Sequence, residues 1–324
     1  MDSNRSYNWF AFVICILLAA CNGSMLSPSS ANSTVGSSAH RLTPTAASWM
    51  NPDAKNQRLY YVSDLGTKNV YVFGASTFKL VGELGGFLMP MGECVDAAQN
   101  VWIVDYDSRD VVEYAHGGTT PLEKIRTGEG NPTSCAVDPA TGNVAVSVHN
   151  YDSSPGWLQI CASPSKCKRY TSSSVAYISY LSYDSAGKLY LDGGAATGDG
   201  SHGFAMAVYS GGKFRSFEIR GAELHAPSGI VNHDGVLSLR GPTLKRTTTI
   251  YQVSTNGMVT GATQLADAHG CDQFEIIGAS ATQSILCPSQ RKGTITTYLY
   301  PAGGSPVQTV GAPFTKPHAI VYSE

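Results

Sequence analysis

The sequence predicts an all-β chain folded as a six-bladed β-propeller with four-stranded blades, and three observations predict it. Short apolar runs recur at a nearly constant interval, a second strand-like phrase precedes most of them, and the chain ends on one such phrase with no run after it. The runs begin at Leu59 in "LYYVSD", Val101 in "VWIVD", Val144 in "VAVSV", Leu189 in "LYLD", Val236 in "VLSLRG" and Ile285 in "ILCP", at spacings of 42, 43, 45, 47 and 49 residues. They are rich in Val, Tyr, Ile and Leu and bounded by Gly, Asp, Asn and Pro, as strands are. No segment beyond the first 21 residues keeps a helical period. A repeat of about 40 to 50 residues matches one four-stranded propeller blade.

The preceding phrases are "PMGECVDAAQN", "PTSCAVDPATGN", "YISYLSYDSAGK" and "PSGIVNHDG", each a strand followed by a polar turn. "RLYYVSD" at Arg58 has no such phrase before it, and the terminal "PHAIVYSE" has no run after it. The simplest assembly pairs the last strand with the first blade. Closure of this kind removes the sheet edges that invite aggregation.

Ahead of the repeats, residues 1–21 read as a lipoprotein signal peptide. The apolar run "WFAFVICILLAA" follows a short segment carrying Arg5 and is too short for a comfortable membrane span. It ends in Leu18-Ala19-Ala20-Cys21, which resembles the bacterial lipobox and implies lipidation of Cys21; an ordinary secretory cleavage site is the competing reading. Residues 22–57 are a Ser-, Ala- and Thr-rich tether with too few apolar groups to offset the entropy of ordering them. Its reach as a flexible chain is about 30 Å. Residues 58–324 are the propeller. The expected location is the bacterial cell envelope, with the membrane as one partner through the lipid and an envelope protein or small ligand as the other.

The repeat phrases resemble the NHL-type and SMP-30/gluconolactonase-like six-bladed propellers, whose repeats read P-x-G-I-x-V-D-x-x-G-x-I-Y-V-x-D. The resemblance is clearest up to Asn150 and implies architecture rather than activity. Gluconolactonase-like members hold a channel metal with a Glu directly before Gly-Pro. Here "MGECVD" puts Gly92 before Glu93 and offers no Glu-Gly-Pro, with Asn131 in "GNPTS" as a remnant of that set. "PHAIV" also resembles a motif of the streptogramin lyases.

Charged residues make up 14% of the chain, against roughly 25% in typical soluble proteins, and the formal net charge is −2. No clustered Lys/Arg face exists, which excludes a nucleic-acid footprint. Beyond Cys15 and Cys21 there are six cysteines, an even number that suits disulfides in an oxidising compartment. Cys161 and Cys167 flank "ASPSK" and are placed to close a hairpin. Cys271 and Cys287 would lie on neighbouring strands. Cys94 and Cys135 start successive repeats one residue out of register. Zinc is the competing reading, although no C-x-x-C supports it.

Residues at the starts of the inner strands are the candidates for a channel site. His225, His269 and His318 lie there, and Glu93 and Glu275 occupy inner-strand positions that are usually apolar. Convergent imidazoles and carboxylates would hold a divalent cation such as Ca²⁺ or perform acid–base work; ordinary hydrogen bonding to channel water or backbone is the bland alternative. No cofactor is otherwise predicted. A second ring of Asp64, Asp105 and Asp192, with His149 and Tyr151 in the third blade, is expected to cap turns through backbone N–H groups. G-x-S-x-G and H-E-x-x-H motifs are missing. The leading expectation is therefore a monomeric, non-catalytic binding propeller, with a metal-dependent hydrolase, lactonase or lyase in the channel as the alternative.

Overall fold

A computed structural model describes residues 47–150, 155–196, 202–244, 246–279 and 282–324. Cys21 and Tyr151 lie outside them. The described residues form six antiparallel sheets arranged as the blades of one closed propeller. Blade two is β5 (Pro90–Val95), β6 (Val101–Asp105), β7 (Asp110–Tyr114) and β8 (Pro121–Arg126), from the inside outward. Blade three is β9 (Asn131–Val137), β10 (Val144–His149), β11 (Trp157–Cys161) and β12 (Cys167–Tyr170). Blade four is β13 (Tyr177–Tyr183), β14 (Leu189–Ala196), β15 (His202–Ser210) and β16 (Lys213–Ser216). Blade five is β17 (Ile230–His233), β18 (Val236–Leu244), β19 (Thr247–Val253) and β20 (Val259–Leu265). Blade six is β21 (Glu275–Ile277), β22 (Ser284–Ser289), β23 (Thr294–Leu299) and β24 (Gln308–Val310).

Blade one joins the two ends of the described chain. β25 (Pro317–Ser323) lies innermost, followed by β2 (Leu59–Asp64), β3 (Asn69–Gly74) and β4 (Lys79–Leu84). β25 runs antiparallel to β2 from Leu59↔Ser323 to Asp64↔Pro317. This is the closure that the unmatched phrases predict. Asp64 strengthens it by accepting the N–H groups of Thr315 at 2.7 Å and Lys316 at 2.9 Å. At the other end of β25, His116 of blade two shares hydrogen bonds with Ser323 Oγ at 2.6 Å and the Gln57 carbonyl at 2.8 Å.

The apolar runs are second strands because those strands are covered on both faces. Every residue of β2 and of β6 is buried, and a strand in that position reads as a continuous hydrophobic stretch rather than an alternating one. The outer β8, "PLEKIR", buries only Ile125. The core accordingly lies between blades. Leu59, Tyr61 and Val72 of blade one pack with Val101, Ile103 and Val112 of blade two, and Tyr60 and Val62 pack with Leu286 and Ile295 of blade six.

Residues 49–57, assigned to the tether by sequence, belong to the fold instead. β1 (Trp49–Met50) pairs with the outer edge of β4, and a 3-10 turn over Ala54–Asn56 buries Ala54 completely. The two-residue strand carries no periodicity for a pattern argument to detect. Its effect is to cover the β4 edge.

Three disulfides brace the ring, and their presence points to an oxidising, extracytoplasmic location. Cys161–Cys167 joins β11 to β12 and Cys271–Cys287 fastens the segment before β21 to β22. Cys94–Cys135 links the inner strands of blades two and three, with Cα atoms 5.6 Å apart. The same two strands approach closely at Gly92, where a Cβ would stand 2.7 Å from both Ser134 Cα and the Thr133 carbonyl oxygen. That contact explains the glycine of "PMGECV".

The inter-blade bridge closes a loop with a sequence separation of 41 residues, the longest of the three. Chain-entropy reasoning gives it about 4 kcal/mol, against about 2 kcal/mol for Cys161–Cys167. Urea unfolding of the Cys94→Ser/Cys135→Ser and Cys161→Ser/Cys167→Ser pairs is expected to rank them in that order.

Candidate functional site

The inner strands β5, β9, β13, β17, β21 and β25 surround a channel that widens into two cavities. The larger, about 670 Å³, lies toward the ends of the inner strands, where the chain turns outward. The smaller, about 180 Å³, lies toward their beginnings and is lined by Met91, Thr133, His149, Ser179 and His318 among others. Tyr180 borders both.

Glu93 and Glu275 line the same large cavity from blades two and six, with β25 of blade one between them in the ring. Glu93 is 1% exposed, and neither of its carboxylate oxygens has a hydrogen-bond partner. Burial without compensation pushes its pKa well above the carboxylate range. Glu275 retains some surface toward the cavity and accepts only the N–H of Ile276, at 3.2 Å. Burial outweighs that bond and raises its pKa to about 8.

Gln273, on the segment leading into β21, ties these two blades together. Its Oε1 accepts the Glu93 N–H at 3.2 Å and its Nε2 donates to the Glu93 carbonyl at 2.5 Å. The paired backbone holds the Glu93 carboxyl in place and leaves that carboxyl itself unpaired. Asp184 and Asp234 also line the cavity, as do Tyr183 and Tyr322. Asp184 is engaged with the N–H groups of Ala186 and Lys188, and Asp234 with Gln283 Nε2. Among the described residues no Lys, Arg or His side chain lines this cavity.

The three histidines do not converge. His225 is on an exposed loop with Glu223 3.9 Å away, and its side chain is 72% exposed. His269 precedes β21 in a loop beside Asp267, at 3.7 Å. His318, on β25, is buried in the smaller cavity. Its Nδ1 accepts from Gln290 Nε2 at 2.7 Å, and Gln290 also donates to Asp272, which in turn pairs with Arg240 at 3.4 Å. That leaves the proton on Nε2, which is buried without a partner. Burial lowers the His318 pKa, so the ring is neutral. Among the described residues no three His, Cys, Asp or Glu side chains gather closely enough to hold a metal ion.

The aspartate ring turns out to be a scaffold. Asp64 caps its own turn at Gly66 and Thr67 as well as the segment entering β25. Asp105 instead accepts the N–H groups of Leu88 and Met89, on the segment entering β5. Asp192 accepts from Tyr180 of its own blade and Ser228 of the next. His149 Nε2 bonds the Ile178 carbonyl at 2.9 Å, joining blades three and four.

Sequence reasoning placed the site at the strand beginnings, whereas the larger cavity is at the opposite end. It found Glu93 and Glu275 because a charge interrupts an apolar position. It missed Gln273 and Tyr180; a polar residue just before an inner strand was the signal for the first, and nothing in the pattern marks the second.

No family model and no curated protein matches the chain. Solved structures do share its fold. A chain in the crystal structure of a nidogen/laminin complex superposes with a TM-score of 0.64 at 10% identity, covering 82% of this chain and 98% of that one. A protein of unknown function from Bacteroides caccae superposes with a TM-score of 0.58 at 10% identity, covering 83% of this chain and 99% of that one.

Proposed function

We propose that this protein is an exported propeller, tethered to a bacterial envelope membrane through Cys21, that binds a ligand in its central channel without turning it over. The observation that carries the reading is Glu93, a residue that lines a 670 Å³ cavity and whose carboxyl is buried without a partner. Buried polar groups ordinarily have partners, so an orphaned one at a cavity is a place prepared for a group from outside. The volume falls within the ~300–1,000 Å³ typical of small-molecule sites. The likeness to a chain of the nidogen/laminin complex supports a binding role for this architecture.

Acid–base turnover is the second reading, favoured by Glu275, whose pKa near 8 suits a general base. A screen of the full mature chain separates the two. Binding predicts ligands that raise the melting temperature of the wild type but not of Glu93→Gln, and no turnover of lactones or esters. Turnover abolished by Glu275→Gln would overturn the non-catalytic reading.

The anchor has its own test. Cys21→Ser is expected to move the protein from the membrane pellet to the soluble fraction, and continued membrane association would contradict lipidation.

A further inference from the structure

We infer that the ligand of the large cavity is a small organic cation, an alkyl- or arylammonium, drawn in by the two glutamates, Glu93 and Glu275, that line it from blades two and six. This rests on the reading of the channel as a ligand site. Four acidic side chains line the cavity and, among the described residues, no Lys, Arg or His lines it with them; His233, outside the lining, stands 3.6 Å from Asp234. Two of the four, Asp184 and Asp234, have hydrogen-bond donors of their own and border the turns at the end of the channel. They set a negative potential along the way in, which concentrates cations there. Glu93 lacks any donor and Glu275 has only one weak backbone donor, so these two have the capacity left to pair a desolvated ammonium.

The rest of the lining suits an organic body. Val95, Ala136, Leu181, Ile230 and Phe274 supply apolar wall, and the rings of Tyr180, Tyr183 and Tyr322 add surfaces that attract cations. A bare divalent metal fits poorly. Calcium takes about six to eight oxygen ligands, while no metal-holding group of three acidic, His or Cys side chains exists among the described residues. An anion or a sugar acid would find no Lys, Arg or His in the lining to pair with.

The experiment is isothermal titration of the full mature chain with phenethylammonium, n-butylammonium, n-butanol, n-butyrate and CaCl₂. An ammonium probe is expected to bind, with butanol and butyrate silent. Glu93→Gln is expected to weaken it about 30-fold or more, the loss typical when a buried charge loses its partner. Glu275→Gln supplies an independent second variant, and a far-UV spectrum equal to wild type shows that each variant is folded. Binding of CaCl₂ alone, or ammonium binding that both variants keep, overturns the inference. A neutral or anionic molecule that binds in place of the ammonium probes, and that Glu93→Gln weakens, also overturns it while leaving the channel-binding reading intact. If none of these probes, nor any compound of the thermal screen, binds in a Glu93-dependent way, both readings fall.

Discussion

Ending the chain at Lys316 is expected to abolish folding: no soluble, cooperatively unfolding protein should be recovered. The deleted strand β25 pairs with β2 over its whole length. It also buries Ala319 and Ile320 completely and Val321 almost so. Burial of Ile and Val contributes about 1.5–3 kcal/mol each, and each lost backbone hydrogen bond about 1 kcal/mol. Together these approach the ~5–15 kcal/mol that ordinarily holds a domain. The truncated chain would also expose β2, apolar over Leu59–Val62, as an open edge and a template for association. Removal of residues 47–50 deletes only β1 from an outer edge and should leave the circular dichroism spectrum unchanged. The two truncations, compared by size exclusion and far-UV spectroscopy, separate closure of the ring from mere shortening of the chain. Equal behaviour would contradict the account.

Glu275→Gln is expected to stabilise the protein at pH 8 and to change little at pH 4.5. In the folded chain burial raises the Glu275 pKa to about 8 from its usual 4.5. The folded state therefore keeps a proton that the unfolded chain releases. The stability so gained is fully present below about pH 4.5 and is lost as pH rises through 8. Glu275 is only partly buried, and solvent screening there holds the effect to ~3 kcal/mol rather than the larger figure of a fully dry group. The amide has no proton to lose and keeps an oxygen for the Ile276 N–H. Glu93→Gln should act in the same direction, since burial also raises the Glu93 pKa. Asp192, raised to about 8 by burial, leaves a slope of the same sign in both variants. Urea unfolding at pH 5 and pH 8 checks the prediction, and identical pH slopes for wild type and Glu275→Gln would refute it.

Cation binding works against the same protons. With Glu93, Glu275, Asp184, Asp234 and the tyrosines 180, 183 and 322 around the cavity, an ammonium ion favours ionised carboxylates. Its affinity should rise between pH 6 and 8.

The blades were legible because each second strand is covered on both sides by neighbouring blades, so its burial is written as an uninterrupted apolar run. Val101–Asp105 is the plainest case, with all five residues buried. Closure was legible from an imbalance of phrases, "RLYYVSD" lacking a predecessor and "PHAIVYSE" a successor. The inter-blade disulfide was harder to read, since Cys94 and Cys135 need no common register to meet across neighbouring inner strands. The site was only half legible. Glu93 and Glu275 announce themselves as charges in apolar positions. His225 and His269 misled because sequence proximity to an inner strand does not fix a loop side chain; one is exposed and the other is beside Asp267. The place where the channel widens depends on the lateral fit of six separate strands, and no single stretch of sequence encodes it.

Amide hydrogen exchange followed by mass spectrometry tests the central claim, that the last strand closes the ring and so creates the channel. The account predicts that residues 317–323 exchange as slowly as residues 59–64, both opening only when the whole propeller unfolds. Fast exchange of the terminal segment beside a protected β2 would contradict it.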